Sequence, residues 1–121
     1  MFFRFHFELS SAKIWTLTVY YGYSFQYPSQ VAHLWLNDRI YETDTTEDQS
    51  GIDSGYKDDE TWRCLGRIAA LCNRAVFDPE STGPILKRNT IGDASESALL
   101  KCCELAMGSV ETFRLRNPKV F

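Results

Sequence analysis

The chain has 121 residues, which fits one modest domain, and its composition of 44% hydrophobic and 24% charged residues excludes bulk disorder. The net charge of −3 argues against a general nucleic-acid binder, which normally carries a basic surface. No stretch approaches the roughly 18 apolar residues of a membrane span, and no signal-peptide pattern is present. We therefore expect this chain by itself to be soluble, with no membrane span.

Residues 1–30 form an aromatic-rich segment that holds 10 of the 17 aromatic residues. Alternating aromatic residues predict a strand at its start, and these are Phe3, Phe5 and Phe7. Beyond the first ten residues the pattern becomes irregular. A stacking platform for bases or sugars is one interpretation, but such a site also needs a basic groove, and Arg4 and Lys13 are the segment's only Lys or Arg residues. The other interpretation is a strand region without a binding role.

Residues 42–60 form an acidic segment with 8 of the 16 acids and a single cation, Lys57. Calcium binding is one hypothesis, but the spacing D-x-[DN]-x-[DN]-G is absent. With Gly51 and Gly55 interspersed, we favour a solvated loop.

Two apolar arms around Asn37-Asp38 predict a hairpin over Val31–Glu42. The acids of 58–60 then offer capping groups for a helix. Helical spacing of apolar residues from Trp62 to Val76 predicts that this helix continues until Asp78-Pro79.

A turn at Gly83-Pro84 precedes a predicted short strand over Ile85–Ile91. Gly92-Asp-Ala-Ser-Glu96 predicts the start of a second helix, with Gly108 as its C-terminal cap. Ser109 predicts a final short helix, broken near Pro118. Hairpin, helix, strand and helix in this order predict an α+β fold.

The four cysteines provide no recognisable chemistry, since Cys64, Cys72, Cys102 and Cys103 form no C-x-x-C pair. Buried free thiols in a reducing compartment are therefore the favoured interpretation over a zinc site, and we predict no metal ligands. Phosphate-loop, dinucleotide and nucleophile-elbow motifs are absent as well. We predict no catalytic residue in this chain.

Five strings, taken in order, carry a family resemblance. They are Val31-Ala-His-Leu-Trp-Leu, Thr43-Asp-Thr-Thr-Glu-Asp-Gln-Ser-Gly51, Leu71-Cys-Asn-Arg-Ala-Val-Phe77, Pro84-Ile-Leu-Lys-Arg88 and Gly92-Asp-Ala-Ser-Glu-Ser-Ala-Leu-Leu-Lys101. They resemble the catalytic α subunit of the Na+/K+-transporting P-type ATPases from Val31 to about Val120. The H+/K+-transporting pumps share much of the pattern and stay open as an alternative, although the last two strings are more similar to the sodium pump.

The resemblance implies that residues 31–121 are the first half of a cytoplasmic nucleotide-binding domain, an antiparallel sheet flanked by helices. Residues 1–30 lie outside it. In the family this domain binds ATP with Mg2+ and presents the γ-phosphate to an aspartate elsewhere, driving Na+ export and K+ import. The implied partners are adenine nucleotide, the remaining α-subunit domains and a β subunit, and the implied location is the cytoplasmic portion of a plasma-membrane protein.

The resemblance also implies a site residue, Glu96, whose carboxylate would accept a hydrogen bond from the amino group of adenine. A structural alternative stays open, because Asp93-Ala-Ser-Glu96 is also a capping box. Asp93 and Ser95 are candidates for the rim of the same site. Lys87 and Arg88 are candidates for phosphate contact or for a solvated basic face.

The sequence departs from the family in one decisive motif, because Asp-Lys-Thr-Gly, which carries the phosphorylated aspartate, is absent. A weak similarity to this motif places Ala12 at the position of the phosphorylated aspartate, and alanine cannot form an acyl phosphate. We therefore expect a fragment or splice variant that cannot transfer phosphoryl groups alone. Two alternatives are a protein-interaction module, whose aromatic start covers a sheet edge or recruits a partner, and an autonomous phosphatase or ATPase.

Overall fold

The computed structural model describes residues 2–9, 13–20, 30–43 and 55–119. Its strands are β1 (Phe2–Leu9), β2 (Lys13–Tyr20), β3 (Gln30–Leu36), β4 (Arg39–Glu42), β5 (Val76–Phe77) and β6 (Thr90–Ile91). Its α-helices are α1 (Glu60–Leu71), α2 (Ala94–Met107) and α3 (Val110–Arg116). Short 3-10 turns occupy Gly55–Asp58 and Ile85–Lys87. The predicted α+β class is confirmed, with antiparallel sheets beside helices.

Four strands form an antiparallel sheet in the order β1-β2-β3-β4. The strand predicted at the aromatic start is β1. The irregular stretch that follows also forms a strand, β2, which pairs with β1 and β3 and has a register irregularity at Thr18/Val19. Within β2, Trp15, Leu17 and Val19 alternate with Thr16 and Thr18, and β-branched and aromatic residues of this kind favour strands. Of the aromatic-rich segment, β2 thus pairs with β3, and β1 lies on the far side of β2.

The predicted hairpin is confirmed as β3 and β4, joined at Asn37 and Asp38. Both turn residues have positive φ, 50° and 61°, as a two-residue type I′ turn requires. Short polar side chains tolerate this left-handed region better than most residues do. The turn therefore fixes the register that directs Leu34 and Leu36 into the core, where both are fully buried.

The core lies between β3 and the helices, with α2 packed on β3 and α1 packed on α2. Leu65 of α1, Leu100 of α2 and Val110 of α3 are each at most 2% exposed. Tyr56 and Trp62 meet edge to face with ring centroids 5.2 Å apart. The start of α2 lies at the surface, where Asp93 is exposed, and is bonded through Glu96 to Asn73 in the segment that follows α1.

The first helix is shorter than the sequence predicts, because it ends at Leu71 and Val76 belongs to β5. Asn73 explains the difference. Its Oδ1 accepts a hydrogen bond of 2.8 Å from the Ala75 N–H, an Asx-type turn that competes with continued helix. Apolar spacing continues past Leu71, but this local bond redirects the backbone.

The strand predicted over Ile85–Ile91 is also mostly wrong, since within this range only Thr90 and Ile91 form a strand, β6. Pro84 begins a 3-10 turn instead, and its carbonyl accepts hydrogen bonds from the backbone N–H groups of Lys87 and Arg88. The fixed φ of proline favours the start of such a turn.

The later helix boundaries agree with the sequence. Asp93 caps α2, Gly108 ends it with φ of 83°, and Ser109 caps α3, which ends before Asn117. Within the four described ranges, no helix is long and apolar enough to cross a membrane.

Candidate functional site at the start of the second helix

The three predicted site residues lie together in the first turn of α2. The Oδ1 atom of Asp93 accepts a hydrogen bond of 2.9 Å from the Glu96 N–H and one of 2.7 Å from the Ser95 hydroxyl. The capping interpretation is therefore correct for Asp93. The Ser95 hydroxyl gives its hydrogen to the same carboxylate, so it can offer a ligand only its lone pairs.

These bonds hold Asp93 in its charged form. The Glu96 N–H and then the Ser95 hydroxyl lower the pKa of the Asp93 carboxyl below its ordinary value of 3.8, because both stabilise the ionised form. The positive end of the α2 dipole acts in the same direction. The N-terminus of α2 thus presents an ionised carboxylate at Asp93, beside the side chain of Glu96.

Glu96 differs from Asp93 in what its side chain contacts. Its backbone carbonyl accepts a hydrogen bond of 2.8 Å from the Asn73 side-chain amide. Among the residues that the structure describes, none donates a hydrogen bond to the Glu96 carboxylate. The backbone of this half-buried residue is therefore fixed, while its carboxylate keeps its accepting capacity.

Asn73 is itself held from the other side by α3. The Arg114 guanidinium donates to the carbonyl oxygens of Asn73 at 3.1 Å, Ala75 at 2.8 Å and Ala70 at 2.9 Å. The planar guanidinium thus satisfies three backbone carbonyls, one in the last turn of α1 and two just beyond it. Asn73 is 5% exposed, so its amide lies inside the molecule.

Gly92 lies directly against the same segment. Its φ is +140°, and a Cβ built on it would meet Cα and Cβ of Ala75 at 2.9 Å. Only glycine fits such a conformation and such an approach. The chain entering α2 therefore contacts Ala75, while the first turn of α2 is bonded to Asn73.

The three predicted residues lie outside two clefts that the described residues form. An open cleft of about 630 Å³ lies between β5, β6, α2 and α3, and a second of about 400 Å³ is lined by Asn73 and Arg114 among others. Neither is lined by Asp93, Ser95 or Glu96. Glu96 is therefore a half-buried residue outside both clefts.

Lys87 and Arg88, the two candidates for phosphate contact, differ in what their side chains contact. The Arg88 Nε donates to the Gly83 carbonyl at 2.8 Å, and its guanidinium lies 5.8 Å from the centre of the Phe77 ring. Lys87 is exposed. Arg88 thus has a structural role in its loop, and neither side chain is bonded to the first turn of α2.

The cysteines correct one expectation. Cys103 is buried and Cys102 is half-buried, but Cys64 and Cys72 are exposed, because they lie on the outer side and at the end of α1. Burial raises the pKa of the Cys102 thiol to about 12 and that of Cys103 well above its ordinary value. In the described ranges, no cluster of three or more His, Cys, Asp or Glu side chains could hold a metal ion. The acidic-loop calcium hypothesis lies mostly outside the described residues, in 44–54.

Sequence reasoning did not single out Asn73 or Arg114. Asn73 lies in the string Leu71–Phe77, and an Asn two residues before Ala75 is a recognisable signal for an Asx turn. Arg114 has no such local signal, because its acceptors lie 39 to 44 residues earlier in the chain. Only the packing of α3 against α1 brings them together.

Comparison with known proteins defines the class. Residues 61–121 match the family model described as the P-type ATPase cytoplasmic domain N. The chain belongs to this family.

Particular relatives sharpen the comparison. The chain is 60% identical over 91 residues to the sodium/potassium-transporting ATPase subunit alpha of Tetronarce californica, and 59% identical to subunit alpha-3 of Gallus gallus. It is 58% identical to subunit alpha-3 of Homo sapiens. Each match covers 74% of this chain and 9% of the relative. The chain thus spans about a tenth of the length of these relatives.

Proposed function

We propose that residues 31–121 contribute the adenine-contacting part of the ATP-binding domain of a Na+/K+-transporting P-type ATPase α subunit. Residues 1–30 are, in this proposal, a separate N-terminal segment. Glu96 accepts a hydrogen bond from the adenine amino group, and Asp93 and Ser95 form the rim. The supporting observation is the Glu96 carboxylate, which accepts no hydrogen bond from any described residue while its backbone is bonded to Asn73.

The chemistry favours Glu96 over its neighbours. An ionised carboxylate only accepts hydrogen bonds, so it recognises a donor such as the 6-amino group of adenine. Asp93 already uses Oδ1 for the Glu96 N–H and the Ser95 hydroxyl. A hydrogen bond to a charged group is stronger than one between neutral groups. Glu96 therefore supplies the directional contact, and the first turn of α2 supplies its position.

The wider role follows from the names of the relatives, which are sodium/potassium-transporting ATPase α subunits. In this proposal the segment serves ATP-driven Na+ export and K+ import together with the remaining α-subunit domains and a β subunit, on the cytoplasmic side of the plasma membrane. Mg2+ accompanies the triphosphate as part of the substrate. The 121 residues contain no Asp-Lys-Thr-Gly, so phosphoryl transfer requires residues outside this chain.

Titration of the full isotope-labelled chain with MgATP, followed by amide NMR, tests the adenine site. We expect shifts centred on Gly92–Ser97. Glu96→Ala is expected to weaken binding about tenfold, because a hydrogen bond to a charged group is lost. Glu80→Ala is the matched control, since Glu80 is exposed in a turn outside α2. Equal binding by the two variants, or no shift in the parent chain, would contradict the adenine contact.

Incubation with γ-labelled ATP tests the second half of the proposal. We expect no acid-stable phosphorylation of the purified chain, because an acyl phosphate needs the missing aspartate. Acid-stable label that hydroxylamine removes would show an acyl phosphate and contradict this expectation.

A further inference from the structure

We propose that Asn73 and Arg114 are positioning residues for Glu96, and that they make the site distinguish a 6-amino purine from a 6-oxo purine. This inference rests on the proposed adenine contact. The unit formed by Arg114, the Asn73–Ala75 segment and the first turn of α2 is here termed the brace. Neither positioning residue contacts the ligand in this proposal.

The first link of the brace is the Asn73 side chain. Its amide donates to the Glu96 carbonyl at 2.8 Å, and its Oδ1 accepts from the Ala75 N–H at 2.8 Å. Both ends of one buried amide are thus used, which fixes its orientation. The Glu96 carbonyl, in the first turn of α2, is therefore bonded to a side chain just beyond the end of α1 whose orientation is fixed at both ends.

The second link is Arg114, which fixes Asn73 in turn. Its planar guanidinium reaches three carbonyls at 2.8 to 3.1 Å, those of Ala70, Asn73 and Ala75. A lysine ammonium is a compact charge on a flexible stem and cannot reproduce this fork. The Asn73–Ala75 segment is therefore held between α1 and α3.

The third link is the contact of Gly92 with Ala75. A Cβ on Gly92 would lie 2.9 Å from Ala75, so the backbone at Gly92 packs against Ala75 too closely for any side chain. The segment held by Arg114 consequently touches the chain both before α2, at Gly92, and inside its first turn, at Glu96. One contact lies on each side of Asp93 along the chain, at Gly92 and at Glu96. Together they set the direction in which the Glu96 side chain projects from the helix.

The consequence is a specificity that depends on the brace. A hydrogen bond weakens steeply when donor and acceptor are misaligned, whereas attraction to a triphosphate varies slowly with distance. Loosening Glu96 therefore removes the preference for the 6-amino group of ATP over the 6-oxo group of inosine triphosphate. A general loss of stability lowers both affinities equally.

The test measures the ratio of affinities for ATP and inosine triphosphate in the full chain by NMR titration. Asn73→Asp keeps the acceptor for Ala75 but loses the donor for Glu96, and Arg114→Lys loses the fork. The matched controls are Asn89→Asp and Arg116→Lys, because both residues are exposed and outside the brace. We expect the ratio to fall about tenfold in each brace variant and to stay unchanged in each control.

A second readout needs no nucleotide. Amide exchange at Ser97–Leu100 is expected to accelerate in both brace variants relative to exchange in α1, because the first turn of α2 loses its anchor. If the parent chain fails to prefer ATP over inosine triphosphate, the adenine contact is wrong. In that case the rate of amide exchange at Ser97–Leu100 alone tests whether the brace holds the first turn of α2. Unchanged exchange would overturn the brace.

The remaining outcomes are equally decisive. An unchanged affinity ratio in folded brace variants would overturn the positioning role, even if exchange accelerates. Loss of the fold in both brace variants would assign Asn73 and Arg114 to stability alone, and would also overturn it.

Discussion

The starts of α1 and α2 use the same capping residue in opposite surroundings. At α1, Asp59 accepts the Thr61 N–H at 2.7 Å and the Asn37 side-chain amide at 3.1 Å. At α2, the donors to Asp93 among the described residues belong to its own turn, namely Ser95 and Glu96. The first cap joins a helix to the β3–β4 turn, and the second cap leaves its outer face exposed.

This difference shows what tertiary structure adds to a common local motif. Thr61 also donates its hydroxyl to Asn37 Oδ1 at 3.1 Å, so the polar groups at the α1 start satisfy one another. At α2 the tertiary bonds go to the backbone, from Asn73 to the Glu96 carbonyl, and not to the carboxylates. A helix start anchored through its backbone can keep its side chains for a ligand, which the α1 start cannot do.

The largest effect should come from breaking the entry to α2 with Gly92→Ala. We expect a loss of about 2–4 kcal/mol in the free energy of unfolding, from backbone strain at φ +140° and the clash with Ala75. Gly83→Ala is the control, since its φ is +108° but nothing lies within 4 Å of the added Cβ, and about 1 kcal/mol is expected. Urea denaturation measures both. Equal losses would contradict the close approach of Gly92 to Ala75.

A smaller effect is expected from removing each cap. Asp59→Ala should lower the free energy of unfolding by about 1–2 kcal/mol and Asp93→Ala by about 1 kcal/mol, because only Asp59 also holds the β3–β4 turn. Thermal denaturation compares them. For ATP affinity the order should reverse, with Asp93→Ala weakening it and Asp59→Ala leaving it unchanged. Weakening by Asp59→Ala would count against a site confined to α2.

The smallest effect is a change in stability with pH. The pKa of the Asp59 carboxyl is lowered chiefly by the Thr61 N–H, and that of Asp93 by the Glu96 N–H. Because the unfolded chain takes up protons first, this stabilisation is present above the ordinary value of 3.8 and disappears as pH falls through the lowered folded pKa values. Asp59→Asn and Asp93→Asn should each flatten the acid limb of stability against pH. NMR titration of the two carboxyls checks the shifts, and folded pKa values at or above 3.8 would contradict them.

Where a signal is contained in a few consecutive residues, the sequence was a reliable guide. Asn37-Asp38 predicted the hairpin turn, and Asp93, Gly108 and Ser109 predicted helix boundaries that the structure confirms. Each of these residues acts within about one turn of its own position. The resemblance likewise depended on uninterrupted strings, and the family is confirmed.

Predictions failed where apolar spacing was the only guide. Val76 continues the helical spacing of α1 but belongs to β5, because the Asn73 side chain redirects the backbone first. Cys64 and Cys72 are exposed, since a helix has an outer side that composition does not reveal. The strand β2 was missed although Trp15, Leu17 and Val19 alternate with threonines; its pairing with β1 and β3 shows that this short alternation belongs to a strand.

The sequence by itself determined the class of protein, the α+β fold and the presence of a carboxylate pair at a helix start. Only the tertiary structure decided that Arg114, 39 to 44 residues from its acceptors, holds the segment that is bonded to Glu96. The physical reason is the separation along the sequence between the groups that bond. Caps and turns are satisfied by neighbours along the chain, whereas a guanidinium finds its carbonyls only after α1, α2 and α3 have packed.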